Sequence, residues 1–291
     1  MKRFVYLIVC ILLLCSMQVL AFNVSTKTDN LTTDDDVPVW EIEDFWRYDI
    51  GKLYFQLNNS GQVISLDISL KDLLVRVDGL TETSYKMTLS GNIGGIFDFD
   101  DGEGKTLGGI LFITKISGSF QIQKQDLATE QATIVIRSIA LLLEHPLMFP
   151  IPIPIPLTIT INIIQDNPRP LIGFPLYDGK EGIIQETNLS TNIKVESIAL
   201  KILHSLVSDF PEEIYQEQNV ILPKLMYSVK EEEISLPGKN YTAYNIEFFQ
   251  GLLGSIYYAP LAGNYAKATV EIDTGDIIIK LKGELTETSY D

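Results

Sequence analysis

The sequence predicts a mainly β protein (α+β, with one helix), folded as two related antiparallel curved-sheet lobes. Three observations carry this. Apolar and polar residues alternate from Val39 onward: Leu53 and Phe55, then Ile64, Leu66, Ile68 and Leu70, then Val75 and Val77, with Gly, Asn and Asp between the runs. One stretch, from Val195 to Phe210, has its apolar residues at helical spacing instead. A segment near the start also returns near the end.

The first 21 residues, MKRFVYLIVCILLLCSMQVLA, have the form of a signal peptide. Lys2 and Arg3 give a basic start, Phe4 to Leu14 an apolar core, and Val19-Leu20-Ala21 a small-residue exit, so the mature chain is expected to begin at Phe22. The alternative is an uncleaved anchor from Phe4 to Phe22, which would tether the protein to the membrane by its N-terminus. Cys10 and Cys15 both lie inside this segment, so the exported protein would carry no thiol. Loss of two positive charges takes the net charge from -16 to -18, which argues against nucleic-acid partners and anionic lipid surfaces. Membrane contact is expected only through the N-terminal segment, if it is retained.

Residues 22–37 are Thr/Asp-rich and aperiodic, and read as a flexible stalk. Five N-x-[ST] sites, at Asn23, Asn30, Asn58, Asn188 and Asn240, exceed the roughly two that chance would give, and suggest a glycosylated exterior. A glycan cannot be buried, so these asparagines are expected at loops or strand ends.

The first lobe is assigned to 38–165. Towards its end, Pro150-Ile-Pro-Ile-Pro-Ile-Pro156 places a proline at every second residue, which as a strand leaves one edge without N–H donors. An edge strand is the reading taken; exposed polyproline II is the alternative. The second lobe, 166–291, holds the expected helix near 194–210, with Val195, Ile198, Ile202, Leu206 and Phe210 on one face and Pro211 at its end. It also holds the C-terminal repeat. Residues 72–85, DLLVRVDGLTETSY, return as 276–290, DIIIKLKGELTETSY, with Glu284 inserted. Upstream, Gly51 to Phe55 matches Gly254 to Tyr258, and Leu66-Asp-Ile68 matches Val270-Glu-Ile272. Two copies imply two equivalent units in which Val75 and Ile279 face corresponding cores.

Catalytic chemistry is not legible. His145 sits in an apolar run, His204 falls on the polar side of the expected helix, and no nucleophile, phosphate-loop or zinc motif is present, so no catalytic residue and no cofactor are expected. Asp98, Asp100, Asp101 and Glu103, in DFDDGEG, could together offer oxygens to a hard cation such as calcium. A solvated hairpin turn is the reading taken for them. Aromatics gather at Trp46, Tyr48, Tyr54 and Phe55, and again at Phe248, Phe249, Tyr257 and Tyr258. Core packing is the simpler reading; the functional one is a wall lining an apolar ligand.

Tyr257-Tyr-Ala-Pro-Leu-Ala-Gly-Asn-Tyr-Ala-Lys267 resembles a hairpin signature of uncharacterised exported β-rich proteins of archaea and bacteria. Trp46-Arg-Tyr48 and Phe174-Pro-Leu-Tyr-Asp-Gly-Lys180 are similar to further segments of the archaeal ones. The resemblance implies export and a curved sheet, and supplies no activity. Leu261 and Ala262 depart from the polar pair more familiar at those positions.

The resulting expectation is a secreted or cell-surface, non-enzymatic protein holding an acyl chain or other apolar ligand in a concave sheet. The alternatives are a structural or adhesion module with a filled core, meeting other envelope proteins, and third a hydrolase with an unrecognised carboxylate pair.

Overall fold

A computed structural model describes residues 37–59, 62–100, 106–144, 153–165, 167–170, 172–197, 214–222, 224–249, 253–273 and 277–290. The expected signal peptide, all of the stalk except Val37, His145, His204, Asp101, Glu103, Asn23 and Asn30 lie outside the described residues. Val37 packs against the core rather than extending a stalk.

Fourteen strands form one antiparallel sheet. The first six are β1 (Phe45–Asn59), β2 (Gln62–Leu80), β3 (Ser84–Asp100), β4 (Thr106–Gln123), β5 (Thr129–Glu144) and β6 (Ile153–Ile164). The next four are β7 (Glu181–Ile184), β8 (Thr187–Glu196), β9 (Ile214–Leu222) and β10 (Leu225–Leu236). Last come β11 (Lys239–Phe248), β12 (Leu253–Ala259), β13 (Asn264–Asp273) and β14 (Ile277–Thr288).

The sheet closes on itself. β7 and β8 are halves of one interrupted strand, and β9 and β10 of another, because the pairs Glu181↔Ser228, Ile184↔Leu225, Thr187↔Leu222 and Val195↔Ile214 share a single register. The two breaks, between Ile184 and Thr187 and between Leu222 and Leu225, lie opposite each other. Counting each interrupted strand once turns fourteen strands into twelve. Each of these twelve pairs with both of its sequence neighbours, and β14 pairs with β1. The buried side changes at the break, from Gly182 opposite Tyr227 and Ile184 in β7 to Leu189, Thr191, Ile193 and Val195 in β8.

Alternation sends one side of every long strand inward. Phe55, Val77, Ile161, Ile193 and Ile246, from strands all round the ring, are completely buried. Among the described residues these side chains belong to one hydrophobic core that runs through the strands of the ring. The outer side carries Arg47, Lys52, Asp67, Lys71, Arg76 and Lys86, the reverse of a lipid-facing barrel. Among the described residues no helix is long and apolar enough to cross a membrane.

Three expectations need revision. One sheet and one core run through both 38–165 and 166–291, since β8 joins β6 and β14 joins β1; two separate sheets are not seen. The expected helix near 194–210 does not begin at 194: Lys194 and Val195 are strand, paired with Thr160 and Ile159, because the Leu189 to Val195 alternation continues through them. The remainder of that segment, 198–210, lies outside the described residues.

The repeat also folds unequally. In the first copy Leu66 to Val75 run along a single strand, β2, with Asp72 at φ 51 absorbing an irregularity and its N–H donating to Asp49 Oδ1 at 3.0 Å. In the second copy the matching residues fall on β13 and β14, paired as a hairpin as far as Asp273↔Ile278. Val75 and Ile279 are both buried on the inner side, as expected.

Among the described residues, 153–156 of the proline run have a paired strand on one side only. Pro154 and Pro156 pair with Leu141 and Ile139 of β5, while β8 reaches β6 only from Thr158 onward.

If alternation places Phe55 inside and Tyr54 outside, Phe55→Ala should cost about 3–5 kcal/mol and Tyr54→Ala less than about 1 kcal/mol. Urea unfolding of the two variants measures this, and equal costs would contradict the assignment of faces.

Candidate functional site

At one end of the ring the two tryptophans of the chain stand together, Trp40 just before β1 and Trp46 within it, with ring centroids 5.0 Å apart. Both indoles donate to one short turn. Trp40 Nε1–H reaches the Gly263 carbonyl at 2.9 Å, and Trp46 Nε1–H reaches that of Ala262 at 2.6 Å. Pro260–Ala262 form this 3-10 turn; proline presets its φ, and Gly263 ends it at φ 62 with its N–H on the Pro260 carbonyl at 2.9 Å. Gly263 is required twice over, because a Cβ there would also come within 2.5 Å of the Tyr290 ring.

The last residues of the two LTETSY segments converge here. Tyr85 lies 4.9 Å from Trp40 and accepts that residue's backbone N–H at 3.1 Å, while Tyr290 lies 6.3 Å from Trp46. Identical hexapeptides thus serve one aromatic cluster from different elements: Thr81 to Thr83 turn between β2 and β3, whereas Thr286 and Thr288 end β14, their hydroxyls donating to the Arg47 and Phe45 carbonyls.

On the other flank Tyr258 meets Phe174 at 5.3 Å and Tyr265 at 5.7 Å, both edge to face. Phe174 is held by its own loop. The Lys180 ammonium donates to the Gly173 and Pro175 carbonyls, Gly179 N–H to the Val229 carbonyl at 2.9 Å, and Glu231 N–H to Asp178 Oδ1 at 3.0 Å.

Between the flanks opens a recess of about 320 Å³. Val37, Pro38 and Val39 form one wall and Phe174 with Leu176 another; Tyr244, Tyr258, Pro260 and Tyr290 close it. Among the described residues no charged side chain lines it. Its volume is at the small end of ligand sites, suited to a ring or short chain and too small for a whole lipid. Among the described residues tyrosine hydroxyls are its only side-chain polar groups, so it can hold an apolar group.

Burial pushes the phenols of Tyr48, Tyr265, Tyr85 and Tyr290 upward, Tyr48 and Tyr265 most strongly, so that all four are neutral at physiological pH. Among the described residues Tyr48 Oη is buried without a hydrogen-bond partner.

The eight aromatics expected to line a ligand do not form one wall. Trp46, Tyr48, Phe55, Phe248 and Tyr258 are core, and only Tyr258 borders the recess. Their sequence neighbours Tyr54, Phe249 and Tyr257 point the other way, since adjacent strand residues take opposite faces; Phe249 is exposed, and Lys52 and Lys267 lie over the rings of Tyr54 and Tyr257. Asp98 and Asp100 are exposed near the β3–β4 hairpin, which pairs to Asp100↔Thr106. Among the described residues no group of three acidic, His or Cys side chains could hold a metal. Asn58, Asn188 and Asn240 all lie near strand ends and none is buried. The recess residues Val37, Tyr244 and Tyr290 were not singled out by sequence as lining a site, although Phe174, Tyr258 and Pro260 fall within the two quoted motifs.

No family model matches the chain, and neither does any curated protein or solved structure.

Tyr48 and Tyr265, the most strongly raised, disfavour ionisation in the fold. Stability is therefore predicted to be flat with respect to these groups below about pH 10, where unfolded tyrosine titrates, and to fall above it. Urea unfolding of Tyr48→Phe should show unchanged or higher stability at neutral pH and a shallower alkaline loss. A destabilisation above about 1 kcal/mol at neutral pH would mean that the hydroxyl is satisfied.

Proposed function

We propose that this is an exported, non-enzymatic structural or interaction module of the cell surface, working through its exterior rather than through an internal ligand. The observation that carries the reading is the shared core: among the described residues, completely buried side chains from β1, β2, β6, β8 and β11 belong to one hydrophobic cluster, which favours a packed interior over a ligand cavity. The N-terminal sequence, the acidic net charge of -16, the excess of sequons and the resemblance of Tyr257 to Lys267 to exported β-rich proteins support the location. Partners would be other envelope proteins, with the N-terminal segment, if retained, as the membrane contact.

A second reading has its own support. The aromatic recess could take a small apolar group, presented by a ligand or by the side chain of a partner. Calcium at the acidic hairpin and hydrolysis by a carboxylate pair have no comparable support.

Native mass spectrometry of protein purified from the cells that make it, with organic extraction, tests both address and content. The expected species lacks Met1 to Ala21, carries glycan mass, yields no lipid and takes up no fluorescent fatty-acid probe. A co-purifying acyl lipid would overturn the structural reading, and retention of residues 1–21 would convert it to an anchored ectodomain.

A further inference from the structure

The outer face of β3 to β6 breaks the rule that charged and polar residues face out. Register aligns Ile96, Ile110, Leu141 and Pro154 in one row across the four strands, and Phe112, Ile139 and Pro156 in the next. Ile96 and Phe112 are 50% and 51% exposed and Ile110 37%, with both prolines exposed beside them. A contiguous apolar belt of this kind on an acidic protein marks an interaction surface.

Charge flanks the belt asymmetrically along the strand direction. Beyond one side lies Asp98 on β3, with Asp67 at the β2 end of the first row. Beyond the other side the register aligns Lys71, Asn92, Lys115 and Arg137, a basic row in a chain with few basic residues to spare. All five charged side chains are exposed.

We propose that this belt is the contact face of a homodimer. A two-fold axis lying in the interface and running across the strands turns the second copy's strands end for end. It lays belt upon belt, and sets the acidic rim of each copy over the basic row of the other, so that the surface is complementary to itself. Two sheets packed face to face at about 10 Å leave room for both rows of side chains to interdigitate. The prolines at the β6 edge have no N–H to offer a further strand, so association proceeds through the face rather than by edge extension. Of the described sequons Asn58 lies on β1 and Asn188 on β8, each three strands from β4, and Asn240 lies on β11, so none stands on the belt strands β3 to β6. The inference is independent of the recess and of any ligand in it.

Sedimentation equilibrium of the mature chain across the micromolar range tests this, with circular dichroism confirming that each variant is folded. The wild-type protein should dimerise reversibly, and Phe112→Asp, at a half-exposed position, should leave a folded monomer. Reversing the basic row (Lys115→Glu with Arg137→Glu) or the acidic rim (Asp67→Lys with Asp98→Lys) should each weaken self-association by roughly tenfold or more. Mixing the two reversed proteins should restore a 1:1 heterodimer, because each then meets opposite charge on both rims. A wild-type chain that stays monomeric, a dimer indifferent to Phe112→Asp, or reversed proteins that fail to pair would overturn the proposal. So would binding of the monomer to neutral phosphatidylcholine vesicles through Phe112, which would assign the belt to a lipid surface instead.

Discussion

β1 and β14 are joined by an eleven-pair ladder, and that ladder turns a meander into a ring. An antiparallel sheet of this size would otherwise end in two long edges, each a template for pairing with another chain. Closure removes them and gives the inner face a partner, because the walls of the ring bury one another. The completeness of that burial, at Phe55 and Val77 on one arc and Ile161, Ile193 and Ile246 on others, depends on the ring being shut. The broken strands β7–β8 and β9–β10 complete the circuit on the far side; their shared register carries the pairing across a gap where the alternation of side chains reverses.

The aromatic end reinforces the same junction. Trp40 and Trp46 bring the start of the chain onto the Pro260–Ala262 turn, and Tyr290 brings its end onto Trp46. Two indole hydrogen bonds to backbone carbonyls contribute about 0.5–1.5 kcal/mol each. Their larger effect is geometric, since they set where the chain ends meet and so where the recess opens. The resemblance-bearing segment Tyr257 to Lys267 therefore has a structural role that requires no ligand: its proline and glycine shape the turn, and Tyr258 and Tyr265 pack the flank.

Much of the fold was legible in the sequence because period-two alternation reports directly which side of a strand is buried. The prolines of residues 153–156 likewise announced an edge through their missing donors. Closure was not legible, because no local pattern says that the first strand pairs with the last. The repeat misled for a related reason: local similarity fixes strand character, yet Asp72 continues a strand where the second copy folds into a hairpin, so alike segments occupy unlike topology. At Lys194 and Val195 the apolar spacing satisfied a helix and a strand equally, and pairing with β6 decided for the strand. The aromatic clusters were found as composition but divided by alternation into core and surface, and the recess drew on residues from five separate stretches of chain that proximity in sequence could not assemble.

The central claim is that the ring is closed and unfolds as one. Native-state hydrogen exchange resolved by residue tests it most directly. Amides of β14 around Ile279 and Leu281 should exchange as slowly as those of β1 and β2 around Phe55 and Ile68, all through global unfolding. Early exchange of β14, with β1 to β6 still protected, would show the junction to be a loose contact between two independent sheets and would contradict the account.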